Sequence, residues 1–150
     1  VVWAIQLERM GGLEDLCAAI LSQEVEQDLS PYESVRLDLD LNLRDQGLKG
    51  GGPRGEDYPF AVRIRYTDAE GRSRQYLSGY YCGTGAGMKT TPDNGEAVRF
   101  PHYRWEPVSL DLLALQPRPV LLNGVDLMAS GQDYRSWVAN VSLMASLTDE

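Results

Sequence analysis

The stretch SVRLDLDLNL, Ser34 to Leu43, decides the fold of this chain. Val35, Leu37, Leu39, Leu41 and Leu43 take every second position, with Arg36, Asp38, Asp40 and Asn42 between them. An extended strand places the two sets on opposite faces, whereas a helix would spread the leucines around its whole circumference. The stretch therefore reads as a central strand of an antiparallel sheet, with one face on a core and the other in water.

Moving outward, Ser30-Pro31 stops the preceding segment and Tyr32 leads into the central strand. Upstream, residues 1–10 alternate as a first strand with Trp3, Ile5 and Leu7 on one face, ended by Gly11-Gly12. Leu13, Leu16, Cys17, Ile20 and Leu21 fall at helical spacing, which predicts a loop or helical turn, followed by a strand from about Ile20 to Leu29. Downstream, the glycine- and proline-rich segment between Asp45 and Pro59 reads as a mobile surface loop. Phe60, Val62, Ile64 and Tyr66 alternate as a strand that turns at residues 67–72 and returns from Arg74 to Tyr81. A second long loop precedes a short strand near residues 97–103. The segment 105–115 fits a strand or a helical turn, and strands around Val120 to Ala129 and Trp137 to Leu143 close the chain. Eight or nine strands separated by turn signals predict an all-β fold, a two-sheet antiparallel β-sandwich of jelly-roll type.

A chain of 150 residues forms one domain, 1–150, able to bury about two thirds of its unfolded surface. It begins without Met, which reads as a fragment or processed part of a longer protein. The formal net charge of -8 repels phosphate backbones, so nucleic acid is not an expected partner. No apolar run approaches the ~18 residues of a membrane helix, so direct membrane insertion is not expected either.

Several motifs fall short of the chemistry they suggest. Residues 83–90, GTGAGMKT, put Met88 where a phosphate-binding loop needs glycine before its lysine, and Pro92 blocks the helix that should follow. Asp38 to Asn42 opens like a calcium-binding EF-hand loop but meets Leu43 and Lys49 where glycine and glutamate are required. His102, the single histidine, has no nucleophile-like context, and the acidic pairs Glu14-Asp15 and Glu56-Asp57 lie in loops, so no enzyme is expected. Asn140-Val141-Ser142 matches a glycosylation sequon inside a predicted strand and reads as a chance match. Cys17 and Cys82 allow one disulfide, worth about 4 kcal/mol by loop entropy, or two separate thiols; the sequence leaves both open.

The aromatic residues carry more. Tyr76, Tyr80, Tyr81, Tyr103, Trp105, Tyr134 and Trp137 outnumber what a core with two Phe requires, and several flank turns. Flat rings stack on the C–H faces of sugars while neighbouring Asp, Asn and Arg serve the hydroxyls. Trp137 and Tyr66 are the rings expected in the core.

Leu7-Glu8-Arg9-Met10-Gly11, the strand Val35 to Leu43 and the closing Val138 to Leu143 resemble the corresponding strands of galactose-binding-like β-sandwiches, including several carbohydrate-binding modules. Residues 63–68 and 129–134 are similar to carboxy-terminal sandwich regions of bacterial envelope proteins, some with FecR-type domains upstream. The resemblance implies a structural Ca2+ near Glu8 and Asn140, weakened because Ala139 and Asn140 stand where the modules carry two acids. It also implies a non-catalytic carbohydrate-binding domain of a secreted or cell-envelope protein, working outside the cytoplasm.

Two candidate ligand surfaces follow. One is a cleft face lined by Asp38, Asp40, Arg63 and Arg65; the other is a set of loops carrying Tyr80, Tyr81, Tyr103, Trp105 and Tyr134. The rival expectation is a structural or protein-interaction sandwich in a surface assembly, marked by an exposed apolar patch or strand edge.

Overall fold

The computed structural model describes residues 3–11 and 15–148. Nine strands are formed: β1 (Ile5–Arg9), β2 (Cys17–Asp28), β3 (Tyr32–Gln46), β4 (Phe60–Asp68), β5 (Ser73–Tyr81), β6 (Gly95–Arg99), β7 (Glu106–Asp111), β8 (Pro119–Gly131) and β9 (Tyr134–Leu147). They make a jelly-roll sandwich of a four-stranded sheet, β1-β9-β3-β7, and a five-stranded sheet, β2-β8-β4-β5-β6. Every pairing is antiparallel except β5 with β6, which is parallel.

β3 holds the central place that its alternation predicts. Val35, Leu37, Leu39, Leu41 and Leu43 are all buried and meet Phe60, Val62, Ile64 and Tyr66 of β4 in one core. Burial of each such side chain contributes about 1.5 to 3 kcal/mol before entropy is counted, so the alternation of β3 fixes its register as well as its face. Leu37 stands opposite Leu110 and Leu39 opposite Val108 on β7, while Leu41 stands opposite Val138 on β9.

β9 departs from the simple alternation expected of it. Asp38 pairs with Ser142 but Asp40 pairs with Ala139, so Asn140 and Val141 together oppose Leu39. This is a β-bulge, and Asn140 sits in it at φ 54, a left-handed conformation that asparagine tolerates better than most residues. The extra residue reverses the phase of the strand. Before the bulge Tyr134, Ser136 and Val138 are buried and Trp137 faces outward; after it Val141 and Leu143 take the inward side. The expectation that Trp137 belongs to the core is therefore corrected.

β2 begins at Cys17, so the run from Leu16 to Leu21 is largely strand and not a helical turn; Gly12, Leu13 and Glu14, where that turn would begin, lie outside the described residues, as do Val1 and Val2 of the expected first strand. The segment after Trp105 is both things predicted for it. β7 is followed by a short 3-10 turn, Leu112–Ala114, capped by the Asp111 carboxylate accepting from the Leu113 amide.

The loop between β3 and β4 is packed, not the free surface loop its composition predicts. The Gly50 amide donates to the Gly83 carbonyl (2.6 Å), Gly51 to Lys89 (2.7 Å), and Lys89 back to Gly52 (2.9 Å). Tyr58 is wholly buried beneath this pair of loops, its hydroxyl donating to Gly55 O. Its ring lies flat on Gly79 of β5, where a Cβ would come within 2.5 Å of it. Only glycine leaves room for that contact.

Cys17 and Cys82 are both free thiols. Cys17 starts the edge strand β2, and Cys82 follows β5, three strand positions across the same sheet. Three strand spacings of about 4.8 Å far exceed the ~7 Å that a disulfide can span between Cα atoms, which overturns the disulfide alternative. Cys82 packs against Gln46 Oε1 (3.1 Å), and burial pushes its thiol pKa up.

Candidate functional site: an aromatic groove on the outer face

The outward positions of β3 and β9 build a surface with a consistent chemistry. Asn42 stands opposite Trp137, and Asp40 opposite Ala139. Trp137 is held from two directions: its indole Nε1 donates to Gln6 Oε1 on β1 (2.8 Å), and the Arg44 guanidinium lies 4.3 Å from its ring centroid. Arg44 also lies 4.8 Å from the ring of Tyr103, so it is clasped between two aromatics. Its Nε has no hydrogen-bond partner among the described residues.

Trp105 completes the surface, its ring centroid 6.4 Å from that of Trp137 and the two planes inclined by 35°. The loop that delivers Tyr103 and Trp105 is pinned to the end of β3. The Tyr103 amide donates to Leu43 O (2.9 Å), and His102 Nε2 lies 2.8 Å from Arg44 O. Tyr103 has φ 62, a conformation that costs a bulky residue about 1 to 2 kcal/mol. In this conformation its ring stacks on His102 at 3.6 Å and lies against Arg44.

Beside the rings, Asn140 Nδ2 donates to Asp40 Oδ2 at 2.8 Å. The bulge makes this pair by swinging the asparagine out of the strand's regular phase. Together Ala4, Asp40, Trp105, Trp137, Ala139 and Asn140 line a groove of about 500 Å3. Trp105 and Tyr103 are exposed, and the Asp40–Asn140 pair at the groove's side offers carboxylate and amide groups to hydroxyls.

No family model matches the chain, and no curated protein matches it. Among solved structures it is similar to TmCBM61 in complex with β-1,4-galactotriose, at 14% identity over 95% of this chain and 70% of that one, with a TM-score of 0.40. It is likewise similar to a family 16 carbohydrate-binding module (14% identity, 93% and 74% covered, TM-score 0.40). A third is the family 11 module of the cellulosomal cellulase Lic26A-Cel5E of Clostridium thermocellum (11% identity, 99% and 91% covered, TM-score 0.38).

The residues expected to form one cleft face do not share a cleft. Asp38 and Asp40 lie on the outer face of the four-stranded sheet, whereas Arg63 and Arg65 lie on β4, on the outer face of the other sheet. Asp38 is engaged by Arg36 Nε at 2.8 Å, and a hydrogen bond from Ser109 holds its carboxyl below the usual range. Arg63 and Arg65 converge on Asp126 of β8, with Nε atoms 2.7 and 3.0 Å from Oδ2, and Arg65 also binds Glu24 (2.8 Å). Asp126 is fully buried. Burial alone would raise its pKa, but the bonds from Arg65 and Arg63 outweigh it and the carboxyl titrates below its ordinary value. A groove of about 640 Å3 runs beside Arg63 over Leu77 and Met128, without an aromatic side chain in its lining.

Of the loop aromatics, Tyr103 and Trp105 are surface residues as expected. Tyr80 and Tyr134 are not: both are core residues, Tyr80 packing on Phe60 and edge-on to Phe100. Tyr81 is half-buried against the Tyr58 cluster. Glu8 stands opposite Arg135 with Gln6 donating to it, while Asn140 is five residues further along β9, roughly 16 Å away at strand rise. The two expected calcium ligands thus do not face one another, and no group of three or more His, Cys, Asp or Glu side chains among the described residues could hold a cation.

Arg44 and Gln6 had no place among the expected site residues, Trp137 was expected in the core, and Asn140 was expected at a calcium ion and not beside the rings. One signal pointed to Trp137: it is in phase with Arg135, a charge that cannot face the core.

Proposed function

We propose that this chain is a non-catalytic carbohydrate-binding domain whose ligand is an uncharged saccharide lying in the Trp105–Trp137 groove. The observation that carries the reading is Trp137, held by Gln6 and Arg44, beside exposed Trp105 and the Asp40–Asn140 pair. Rings already fixed in place avoid part of the ordering cost of binding. The exposed indole supplies the stacking surface, and the carboxylate and amide take hydroxyls at the ring edge. The net charge of -8 favours a neutral chain over a polyanionic one. We take the ligand to be a polysaccharide outside the cytoplasm and the chain to be part of a secreted or cell-envelope protein.

Affinity gel electrophoresis against a panel of neutral glucans, galactans and xylans tests this. The wild-type chain is expected to be retarded by at least one polymer, and Trp105→Ala and Trp137→Ala each to weaken retention by about tenfold or more, near 1.4 kcal/mol. Folded wild-type protein that migrates freely through every polymer overturns the proposal.

A further inference from the structure

A different face of the molecule has its own unexplained feature. β1 covers only residues Tyr134–Val138 of β9, and beyond Val138 the outer edge of β9 has no strand beside it among the described residues. β2 is likewise the edge of the five-stranded sheet. Between these edges the sandwich is open. An apolar slot of about 370 Å3 has Ile5, Leu21, Val141 and Leu143 at its rim and Val125 and Leu127 on its floor. The four rim residues are 36 to 49% exposed, although they sit where side chains of a closed sandwich would be buried.

The β9 edge beyond Val138 and the first half of the β2 edge lack the charges that usually protect an edge, whereas the bulge of β2 and its acids Glu24, Glu26 and Asp28 fall in its second half. Residues 136–148 contain no charged residue, and neither do residues 16–23, in a chain that is 24% charged. No proline interrupts either run. We infer that this open side is a self-association surface, joining two copies of the chain through their β9 and β2 edges around a two-fold axis.

A second copy fits better than a single added strand. One strand laid along β9 would complete the four-stranded sheet and leave β2 unpaired. A copy related by a two-fold axis perpendicular to the sheets brings both edges at once. β9 then meets β9 antiparallel near Met144, β2 faces β2, and the two slots close on one another. An isologous contact sets each residue against its own surroundings, so any acid at its centre would face another acid. The absence of charge from residues 136–148 meets that requirement in a molecule of net charge -8. The slot opens on the inner face of the four-stranded sheet and the Trp105–Trp137 groove on its outer face, so the failure of this contact would not touch the sugar reading.

Sedimentation equilibrium from about 1 μM to about 200 μM tests the inference. The expected mass at the upper end is twice 16.7 kDa. Leu143→Lys is expected to raise the dissociation constant by about tenfold or more, and Val98→Lys on the opposite edge strand β6 to leave it unchanged. Hydrogen exchange on the wild-type chain gives a second reading without any variant: the amides of residues 141–147 should gain protection as concentration rises. A monomer throughout the range, an equal effect of both lysines, or protection of residues 141–147 independent of concentration overturns it.

Discussion

On the outer face of the four-stranded sheet, the polar positions of β3 stand beside aromatic residues from β9 and the loop before β7; on the outer face of the five-stranded sheet, those of β4 stand beside a carboxylate from β8. Both faces come from the same two-residue alternation. Arg44 is clasped by Trp137 and Tyr103 and leaves a groove next to it. Arg63 and Arg65 instead spend their guanidinium Nε groups on buried Asp126. The first arrangement presents oriented rings to solvent, while the second knits β2, β8 and β4 together through Glu24, Asp126 and the two arginines. A face whose polar groups satisfy one another holds the sheet, and a face whose rings remain exposed is available to a ligand.

Asp126→Ala attacks that difference most directly. It leaves two guanidiniums over a hole in the sheet, and breaking such a pair costs about 3 kcal/mol. The lower end of the usual range applies because Arg63 and Arg65 keep 29% and 23% of their side-chain surface exposed. The midpoint of urea denaturation should fall accordingly, while the protein that remains folded binds polysaccharide as wild type does. Trp137→Ala should show the reverse pattern. A loss under about 0.5 kcal/mol for Asp126→Ala would mean that the ionic face holds nothing.

Acid should separate the faces in the same direction with a smaller effect. The carboxyl of Asp126 titrates below its ordinary value in the folded protein, so the folded state binds its proton less readily than the unfolded chain. The stabilisation is therefore complete above the unfolded value near pH 3.9 and is lost as pH falls through the lower folded value. Asp38 and Asp68 are shifted in the same direction, Asp38 first by Ser109 and Asp68 first by Arg74. Urea midpoints measured from about pH 6 down to about pH 2 should be flat and then fall, and Asp126→Asn should flatten part of that fall. An unchanged acid slope in Asp126→Asn would remove Asp126 from the explanation.

The ionic face and the aromatic face were unequally legible in the sequence. The alternation of β3 and β4 identified both strands, their buried sides and the outward place of Asp38, Asp40, Arg63 and Arg65. What alternation cannot show is which sheet a strand joins, so those four residues were placed in one cleft when they belong to opposite faces. The fate of Trp137 turned on a single inserted residue at Asn140, and a bulge has no signature in hydrophobic periodicity beyond a change of phase. Tyr80 and Tyr134 were misplaced because a tyrosine beside a turn reads as surface, whereas each is buried in the core. The pinned glycine-rich loops depend on partners more than 30 residues away in the chain, which composition alone does not convey.

The smallest effect concerns Tyr103, whose backbone is strained in order to complete the aromatic face. Tyr103→Ala and Tyr103→Gly both remove the ring that covers Arg44 and stacks on His102, so both should weaken polysaccharide retention by a few-fold as Arg44 and Trp137 loosen. They differ in the backbone, where relief of the left-handed strain favours glycine and its greater freedom in the unfolded chain opposes it in part. Glycine adopts φ 62 without penalty while alanine keeps the strain, so Tyr103→Gly should be the more stable of the two by about 1 kcal/mol. Thermal denaturation of the pair measures that gap. Equal stabilities would show that the loop relaxes once the ring is gone, in which case contact with Arg44 and His102, and not the pinning of Tyr103 to Leu43, holds the backbone in its left-handed conformation.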